Sequence, residues 1–329
     1  MSTNRVKLTY SDAILEAFEY LLKNYPEVFI LGQGLWSPWY VGNTMKNLDK
    51  KFGSSRIIDT PVSESACTGA AVGASICGMK PIIVHPRMDF MLYGMDAIVN
   101  QAAKWSYMFS GKASSFLTVR AIINRGGSQG AQHSQALQSW FAHIPGLRVV
   151  MPYTVQDARD LLIASVLCPD PVIYIDDRWL YEQVDNVDPI KEKNINEFEP
   201  NIIQEGDQLT IVGSSYSTHL AKDAASKLTN EGIRSEVIDL RVLNPINIKL
   251  IINSVLKTRR ILVIDGGWSA CGLSSEIIAS VVENIPVNSL VAPPKRITLP
   301  NCPAPSSEIH EKIYYPNTEK IISEIRSIF

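Results

Sequence analysis

The sequence predicts an α/β protein of two domains, each built on a mostly parallel sheet covered by helices. Three observations carry that expectation. Short apolar runs of strand length alternate with helical patterns along most of the chain, as parallel sheets require. The alternation breaks once, at Asp185-Asn186-Val187-Asp188-Pro189-Ile190-Lys191-Glu192-Lys193-Asn194, a charged, aromatic-poor stretch that reads as a surface linker. The 329 residues, 46% of them apolar, also suffice for about two cores.

Taken in order, the first helix spans 11–23, with Ser11 as cap and Ile14, Phe18 and Leu21 or Leu22 on one face. Val28-Phe29-Ile30-Leu31-Gly32 reads as a buried strand. A second short strand ends at Arg56-Ile57-Ile58-Asp59. Thr60 and Pro61 then supply an N-cap and a first helical position, and Glu64 falls in the first turn. Behind it, Ala66, Gly69, Ala70, Ala71, Gly73 and Ala74 make a poor isolated helix. They do let another backbone or a flat ligand come close. Further strands are expected at 81–85, 116–123, 148–151 and 172–176, with helices at 94–105 and 154–167. After the linker come strand 209–213, helix 218–228, strand 236–240, helix 246–256, strand 260–264 and helix 272–282. The expected domains are 1–190 and 207–329, joined by a linker at 191–206.

Composition excludes several classes. Thirty-one Lys+Arg against 33 Asp+Glu leave a formal charge of -2, so nothing marks a nucleic-acid or anionic-membrane surface. Cys67, Cys77, Cys168, Cys271 and Cys302 form no Cys-x-x-Cys pair, which argues against a disulfide framework or zinc site and fits a reducing cytosol. No run approaches the roughly 18 apolar residues of a membrane helix, and Met1-Ser2-Thr3-Asn4-Arg5-Val6-Lys7 lacks a signal core. A soluble, cytoplasmic protein is expected. Gly32-Gln33-Gly34-Leu35-Trp36-Ser37 follows a strand but lacks the third glycine of a dinucleotide fingerprint. There is no G-x-x-x-x-G-K-[ST] sequence, which removes P-loop chemistry. Asp265-Gly266-Gly267 follows a strand without a suitably spaced Asn pair, and Asp265 reads as a turn residue.

Two segments can carry chemistry. One is the turn into Glu64, whose acid also suits any helix N-terminus through the dipole. The other is Asn124-Arg125-Gly126-Gly127-Ser128-Gln129-Gly130-Ala131-Gln132-His133-Ser134-Gln135, a glycine-rich loop that delivers His133 at the start of the next helix. Histidine suits proton transfer near neutral pH, and a helix N-terminus disfavours the imidazolium. A capping loop with a surface histidine fits the same residues. His143, in an apolar stretch, reads as structural; His219 and His310 read as surface residues.

Asp59-Thr60-Pro61-Val62-Ser63-Glu64, Ala102-Ala103-Lys104, Ala131-Gln132-His133-Ser134-Gln135 and His143-Ile144-Pro145-Gly146-Leu147-Arg148-Val149-Val150 form an ordered set. With Glu236-Val237-Ile238-Asp239-Leu240-Arg241 and the segment from Gly267-Trp268 to Glu276-Ile277, they resemble the β subunit of the thiamine-diphosphate-dependent decarboxylating component of 2-oxoacid dehydrogenases. The pyruvate, branched-chain and acetoin types belong here, within the transketolase-like family. The resemblance implies a pyrimidine-binding domain followed by a smaller C-terminal domain. It assigns Glu64 to the cofactor's aminopyrimidine N1′, where the bond favours the imino tautomer that removes the thiazolium proton. It places Phe90 on the pyrimidine ring and gives His133 a part in binding the substrate carboxylate and in acyl transfer to a lipoyl group. It further implies an α subunit carrying the diphosphate and Mg²⁺ motif, an α2β2 heterotetramer, and a lipoyl acyltransferase partner.

This chain departs from the family in three places. Gln33 replaces an acid of a proposed proton path between paired sites and cannot titrate. Cys168 stands where many relatives carry an Asp beside a structural K⁺, and a neutral, soft thiol is a weak ligand for that ion. His85, Arg87 and Asp89 are polar where relatives often use aromatic or aliphatic groups. They either tune substrate or interface, or form a local salt-bridged strand end. Other readings of the whole chain are a thiamine-dependent carboligase or split transketolase-like subunit without lipoyl transfer, and a noncatalytic assembly subunit.

Overall fold

The computed structural model describes residues 5–329. The chain begins with β1 (Val6–Thr9), α1 (Tyr10–Asn24), β2 (Val28–Gly32), α2 (Pro38–Val41), α3 (Leu48–Phe52), β3 (Ile57–Asp59), α4 (Glu64–Ile76) and β4 (Lys80–His85). It continues with α5 (Ala103–Met108), β5 (Thr118–Ile123), α6 (Gln138–Ala142), β6 (Arg148–Val150), α7 (Val155–Leu167), β7 (Val172–Asp177) and β8 (Val184–Val187). There follow β9 (Asn201–Gln204), β10 (Leu209–Gly213), α8 (Tyr216–Thr229), β11 (Ser235–Asp239), β12 (Val242–Asn244) and α9 (Lys249–Thr258). The last elements are β13 (Ile261–Trp268), α10 (Leu273–Glu283), β14 (Lys295–Leu299), α11 (Glu308–Tyr314) and α12 (Thr318–Arg326).

Seven strands form one sheet in the order β12-β6-β7-β5-β4-β2-β3, parallel except where β12 meets β6. Five form a second sheet, β14-β13-β10-β11-β9, parallel except at β9. β1 and β8 make a separate antiparallel pair. The expected α/β architecture is therefore what the chain adopts. The two halves are less separate than composition suggests. β12, from beyond residue 207, completes the edge of the first sheet, and β9 lies inside the expected 191–206 linker. Charge and low aromaticity flag a stretch as exposed, but half-buried Ile202 and Ile203 can still add an edge strand.

Local differences have local causes. Thr9, not Ser11, caps α1, its Oγ1 accepting from Asp12 N at 3.0 Å. α4 begins at Glu64 itself, so Thr60 and Pro61 lie in the connection before it rather than in its first turn. Asp59 instead ties two loops together: its Oδ1 accepts from Gly34 N at 2.6 Å and Leu35 N at 3.3 Å. The stretch expected as one helix at 94–105 is a 3-10 segment (Met88–Gly94), a π-helical turn (Ala97–Ala102) and α5.

Apolar clusters cover both faces of the larger sheet. α1 and α7 supply one, through residues such as Ile14, Phe18, Leu161 and Leu162; α4 and the segments after β4 supply the other, through Ala71, Val72, Met91 and Ile98. The sheet centre also holds a closed ionic network. Arg120 grips Asp176 through Nε (3.0 Å) and Nη2 (2.7 Å), donates to Thr44 Oγ1 at 2.9 Å, and shares Asp176 with the Tyr181 hydroxyl. Both ionic partners are fully buried, so each remaining polar atom must be satisfied, and this network does so.

Two of the short sequence motifs turn out to be partners. Gly146, at φ +95°, lies so close to the Ala102-Ala103-Lys104 segment that an added Cβ would sit 1.9 Å from the Ala103 carbonyl oxygen. Lys104 Nζ donates to the Pro145 carbonyl at 2.6 Å. Only glycine allows that approach.

Candidate active site

The site forms where strands of the larger sheet end. Glu64 opens α4, and its carboxylate has no hydrogen-bond or ion-pair partner recorded among the described residues. It faces a cleft lined also by Gln33, Tyr40, Thr60, Cys67, His85, Arg87 and Phe90. Gly34, at φ +69°, permits the wall on the Tyr40 side, because a Cβ there would come within 2.6 Å of Tyr40 Cγ. Phe90 makes an edge-to-face contact with His133, ring centroids 5.2 Å apart at 88°. The three residues singled out by sequence thus meet in one place: Glu64 and Phe90 share the cleft, and His133 touches Phe90.

The His133 loop differs from its expected form. The next helix is α6, which starts at Gln138, so His133 lies in a turn and not at a helix N-terminus. The argument from the helix dipole therefore does not apply. The loop is held instead by three carboxylates. Glu311 Oε2 accepts from Ser128 N at 3.0 Å. Asp89 Oδ1 accepts from Gln135 N at 3.1 Å and from Gln135 Nε2 at 2.9 Å. Asp265 Oδ1 accepts from Gln138 Nε2 at 2.7 Å, while its Oδ2 takes Ser274 N at the start of α10. Glu311 and Asp265 come from the second half of the chain, so both halves fix the loop. Asp265 is thus a buried anchor within β13 rather than a turn residue.

A buried cation completes this seam. Arg125 pairs with Asp177 at 2.6 Å and lies over the Trp179 and Tyr315 rings at 5.5 and 6.0 Å. A Cβ on Gly266 would fall 2.8 Å from Arg125 Nη2. Sequence reasoning missed Arg125 and Glu311, whose partners lie more than fifty and 180 positions away. Spacing carries no signal for such pairs.

His85, Arg87 and Asp89 do not form a salt-bridged strand end, since no ion pair links them. His85 is buried, with Thr68 Oγ1 3.5 Å from Nε2, and burial pushes its pKa down to about 4, so the ring is neutral near pH 7. Asp89 is buried too, and desolvation raises its pKa despite the bonds from Gln135. Arg87 donates from Nη1 to the Pro86 carbonyl and from Nη2 to Gln129 Oε1. His143 is exposed at the C-terminal end of α6. His219, expected at the surface, is half-buried and stacked on Tyr216 at 5.3 Å. Cys168 ends α7, and burial raises its thiol pKa.

An acid at the head of a helix of small residues, an aromatic ring beside it and a histidine loop clamped from two α/β units define a transketolase-like chain. Comparison with known proteins agrees. Residues 6–183 match the family model described as transketolase, pyrimidine binding domain, and residues 199–321 match transketolase, C-terminal domain. The β subunit of acetoin:2,6-dichlorophenolindophenol oxidoreductase from Cupriavidus necator is 38% identical over 330 residues, covering 97% of each chain. Its Bacillus subtilis counterpart is 34% identical, covering 96% of this chain and 95% of that one. The mitochondrial pyruvate dehydrogenase E1 component subunit beta-1 of Arabidopsis thaliana is 35% identical, covering 96% and 88%. A solved split gene transketolase, described as an inactive beta4 tetramer, shares the fold with a TM-score of 0.77 at 18% identity, covering 98% of both chains. The chain belongs to the transketolase-like family of 2-oxoacid dehydrogenase E1 β subunits.

The residues present fit one half of a thiamine cofactor. An unpartnered carboxylate at the edge of a cleft beside an aromatic ring suits a flat heterocycle with a nitrogen to protonate. No cluster of three or more His, Cys, Asp or Glu that could hold a metal ion occurs among the described residues. No helix among them is long and apolar enough to cross a membrane.

Proposed function

We propose that this chain is the β subunit of a thiamine-diphosphate-dependent 2-oxoacid dehydrogenase, acting in oxidative decarboxylation with acyl transfer to a lipoyl group. The observation that carries the reading is one cleft shared by Glu64 and Phe90, with His133 in ring contact with Phe90. The bound cofactor would supply the electron sink that makes loss of CO₂ feasible. Glu64 holds a proton at the pyrimidine N1′, where a carboxylate in a partly desolvated cleft is well placed to favour one tautomer. Phe90, which lines the same cleft, would pack against the ring and exclude water from it. His133, standing on Phe90 and fixed by the loop anchors, binds the substrate carboxylate and assists acyl transfer.

In this reading the diphosphate and Mg²⁺ belong to an α subunit, and the cofactor lies between an α and a β chain of an α2β2 heterotetramer. The surface supports such assembly. Ser65, Ala66, Gly69, Ala70 and Gly73 of α4 are exposed, and a Cβ on Gly69 or Gly73 would meet nothing within 4 Å. Tyr107 is 89% exposed, with Tyr93 and Trp140 also outward. Apolar exposure of this kind marks interaction surfaces. A cytoplasmic location and docking to a lipoyl acyltransferase complete the proposal. K⁺ binding at Cys168 is not part of it, because a buried thiol with a raised pKa is a poor ligand for a hard cation.

The test is co-expression with the α chain that carries the diphosphate motif, followed by CO₂ release from a 2-oxoacid panel with thiamine diphosphate and Mg²⁺. Cofactor-dependent release with acylation of a lipoyl domain is expected. Transfer of the product to a carbonyl acceptor with no lipoyl acylation would identify a carboligase instead. A complex that binds the cofactor and turns over no 2-oxoacid would defeat the reading.

A further inference from the structure

The cleft that Glu64 opens onto carries a positive charge that decarboxylation itself does not need. Arg87 lines it and is only 9% exposed. Its recorded protein contacts are all neutral oxygens. Nη1 meets the Pro86 carbonyl at 2.9 Å and Nη2 meets Gln129 Oε1 at 3.2 Å. With the Asn124 amide turned so that its oxygen faces Arg87, that oxygen accepts from Nε at 3.1 Å and Nη2 at 3.2 Å. The fifteen ion pairs recorded among the described residues include none to Arg87. Asp89 is near enough to favour the charge; its Oδ1 takes Gln135 and its Oδ2 has no hydrogen-bond partner, yet it forms no ion pair with Arg87.

A second cation stands behind the first. Arg178 donates to the Trp39 carbonyl at 2.9 Å, and in the other orientation of the Asn124 amide its Nη1 meets Oδ1 at 3.5 Å. One neutral amide oxygen therefore lies between two guanidiniums and can serve only one of them at a time. Burial, with the charge of Arg178 adding to it, lowers the Arg87 pKa. A buried charge whose hydrogen bonds all go to neutral oxygens, with its nearest carboxylate beyond ion-pair distance, is costly, and an anion entering the cleft would compensate it. The planar guanidinium fork suits a carboxylate or phosphate.

The carboxylate that leaves as CO₂ is a poor match for this fork. A guanidinium paired with it would stabilise the charged ground state more than the transition state, in which that charge is passing into the cofactor. The fork suits an anionic group that stays on the substrate. We propose that Arg87 is a specificity-determining residue that selects 2-oxoacids carrying a second anionic group, a carboxylate or phosphate, away from the reacting carbon. This rests on the decarboxylase reading for its reaction and on Arg87 alone for its selectivity.

The test uses the assembled α–β enzyme and substrates matched in length: 2-oxoglutarate against 2-oxopentanoate, with 2-oxo-4-phosphonobutanoate as a third arm. Arg87→Met removes the charge and keeps an unbranched side chain. Wild type should prefer an anionic member of the set, and Arg87→Met should lower the ratio of kcat/KM values, anionic over neutral, by about 10²-fold, chiefly through KM. The carboxylate and phosphonate arms distinguish which anion the site takes. A wild-type preference for the neutral acid, or a ratio unchanged by Arg87→Met, overturns the proposal; an Arg87 that pairs with an acid of the α chain would give that second result. Calorimetric titration of the complex with glutarate and propylphosphonate gives a readout free of turnover. Arg87-dependent binding without turnover of any 2-oxoacid would sink the decarboxylase reading and keep the anion subsite. Binding that Arg87→Met does not weaken would sink the subsite.

Discussion

Asp239 should make the fold more stable when its charge is removed, and increasingly so as pH rises. The residue ends β11 and is fully buried. Its Oδ1 accepts from Thr218 Oγ1 at 3.0 Å, while Oδ2 has no partner. Arg241, the nearest cation in sequence, is committed to Asp157 at 2.6 Å. Desolvation first, and then repulsion from Asp157, push the Asp239 carboxyl up to about 8. An unfolded chain releases the same proton near about 3.9. Between these values the native state holds a proton that the unfolded state has lost, so stability falls with rising pH and levels off above about 8. At pH 7 the accumulated cost is three units of that gap, about 4 kcal/mol. Asp239→Asn does not titrate. Its amide adds a pH-independent offset of about 1–3 kcal/mol if one N–H lacks an acceptor, so the slope is the informative quantity. Urea unfolding of wild type and variant at matched pH values from 5 to 9 should show the difference shifting in favour of Asn by about 1.4 kcal/mol per unit up to pH 8. A difference that is flat, or that shrinks with pH, would refute this account of Asp239.

The other predictions concern the sheet centre and the site. Arg120→Met strands the buried Asp176 carboxylate and should cost about 3–5 kcal/mol by thermal or urea unfolding, whereas Arg120→Met with Asp176→Leu should cost less than the single change. A single variant within 1 kcal/mol of wild type would contradict the network's role. His133→Ala in the assembled enzyme should depress lipoyl-domain acylation more than decarboxylation measured with an artificial electron acceptor. Equal and negligible effects on the two rates would remove His133 from the mechanism.

What the sequence made legible was whatever depends on local pattern. Strands such as β2, β5 and β10 are mostly apolar runs, broken in β5 by Arg120, and their type and approximate position can be read directly. That Glu64, Phe90 and His133 belong together was suggested for another reason: ordered short motifs resemble a family, and the fold brings these three side chains near one another. Some of those motifs are structural. Gly146 is needed because it abuts the Ala103 carbonyl, and Lys104 is tied to Pro145, so two of the marks of resemblance describe one contact. The anchors of the His133 loop were not legible. Glu311 and Asp265 act across long separations, and an isolated acid in a sequence does not declare its partner. The roles of Arg87 and Asp89 were open in the sequence, because a polar strand end can neutralise itself. Here it does not, and that only becomes visible once Gln129, Asn124 and Gln135 are seen to occupy the two side chains.

The central claim is that Glu64 activates a cofactor which another chain helps to hold. Glu64→Gln in the α–β complex tests it most directly, because Gln keeps the side-chain shape and hydrogen-bonding reach but cannot exchange a proton at N1′. Thiamine diphosphate should still bind, measured by calorimetry, while decarboxylation falls by about 10²–10⁴-fold. Undiminished decarboxylation by Glu64→Gln with cofactor bound would contradict the account.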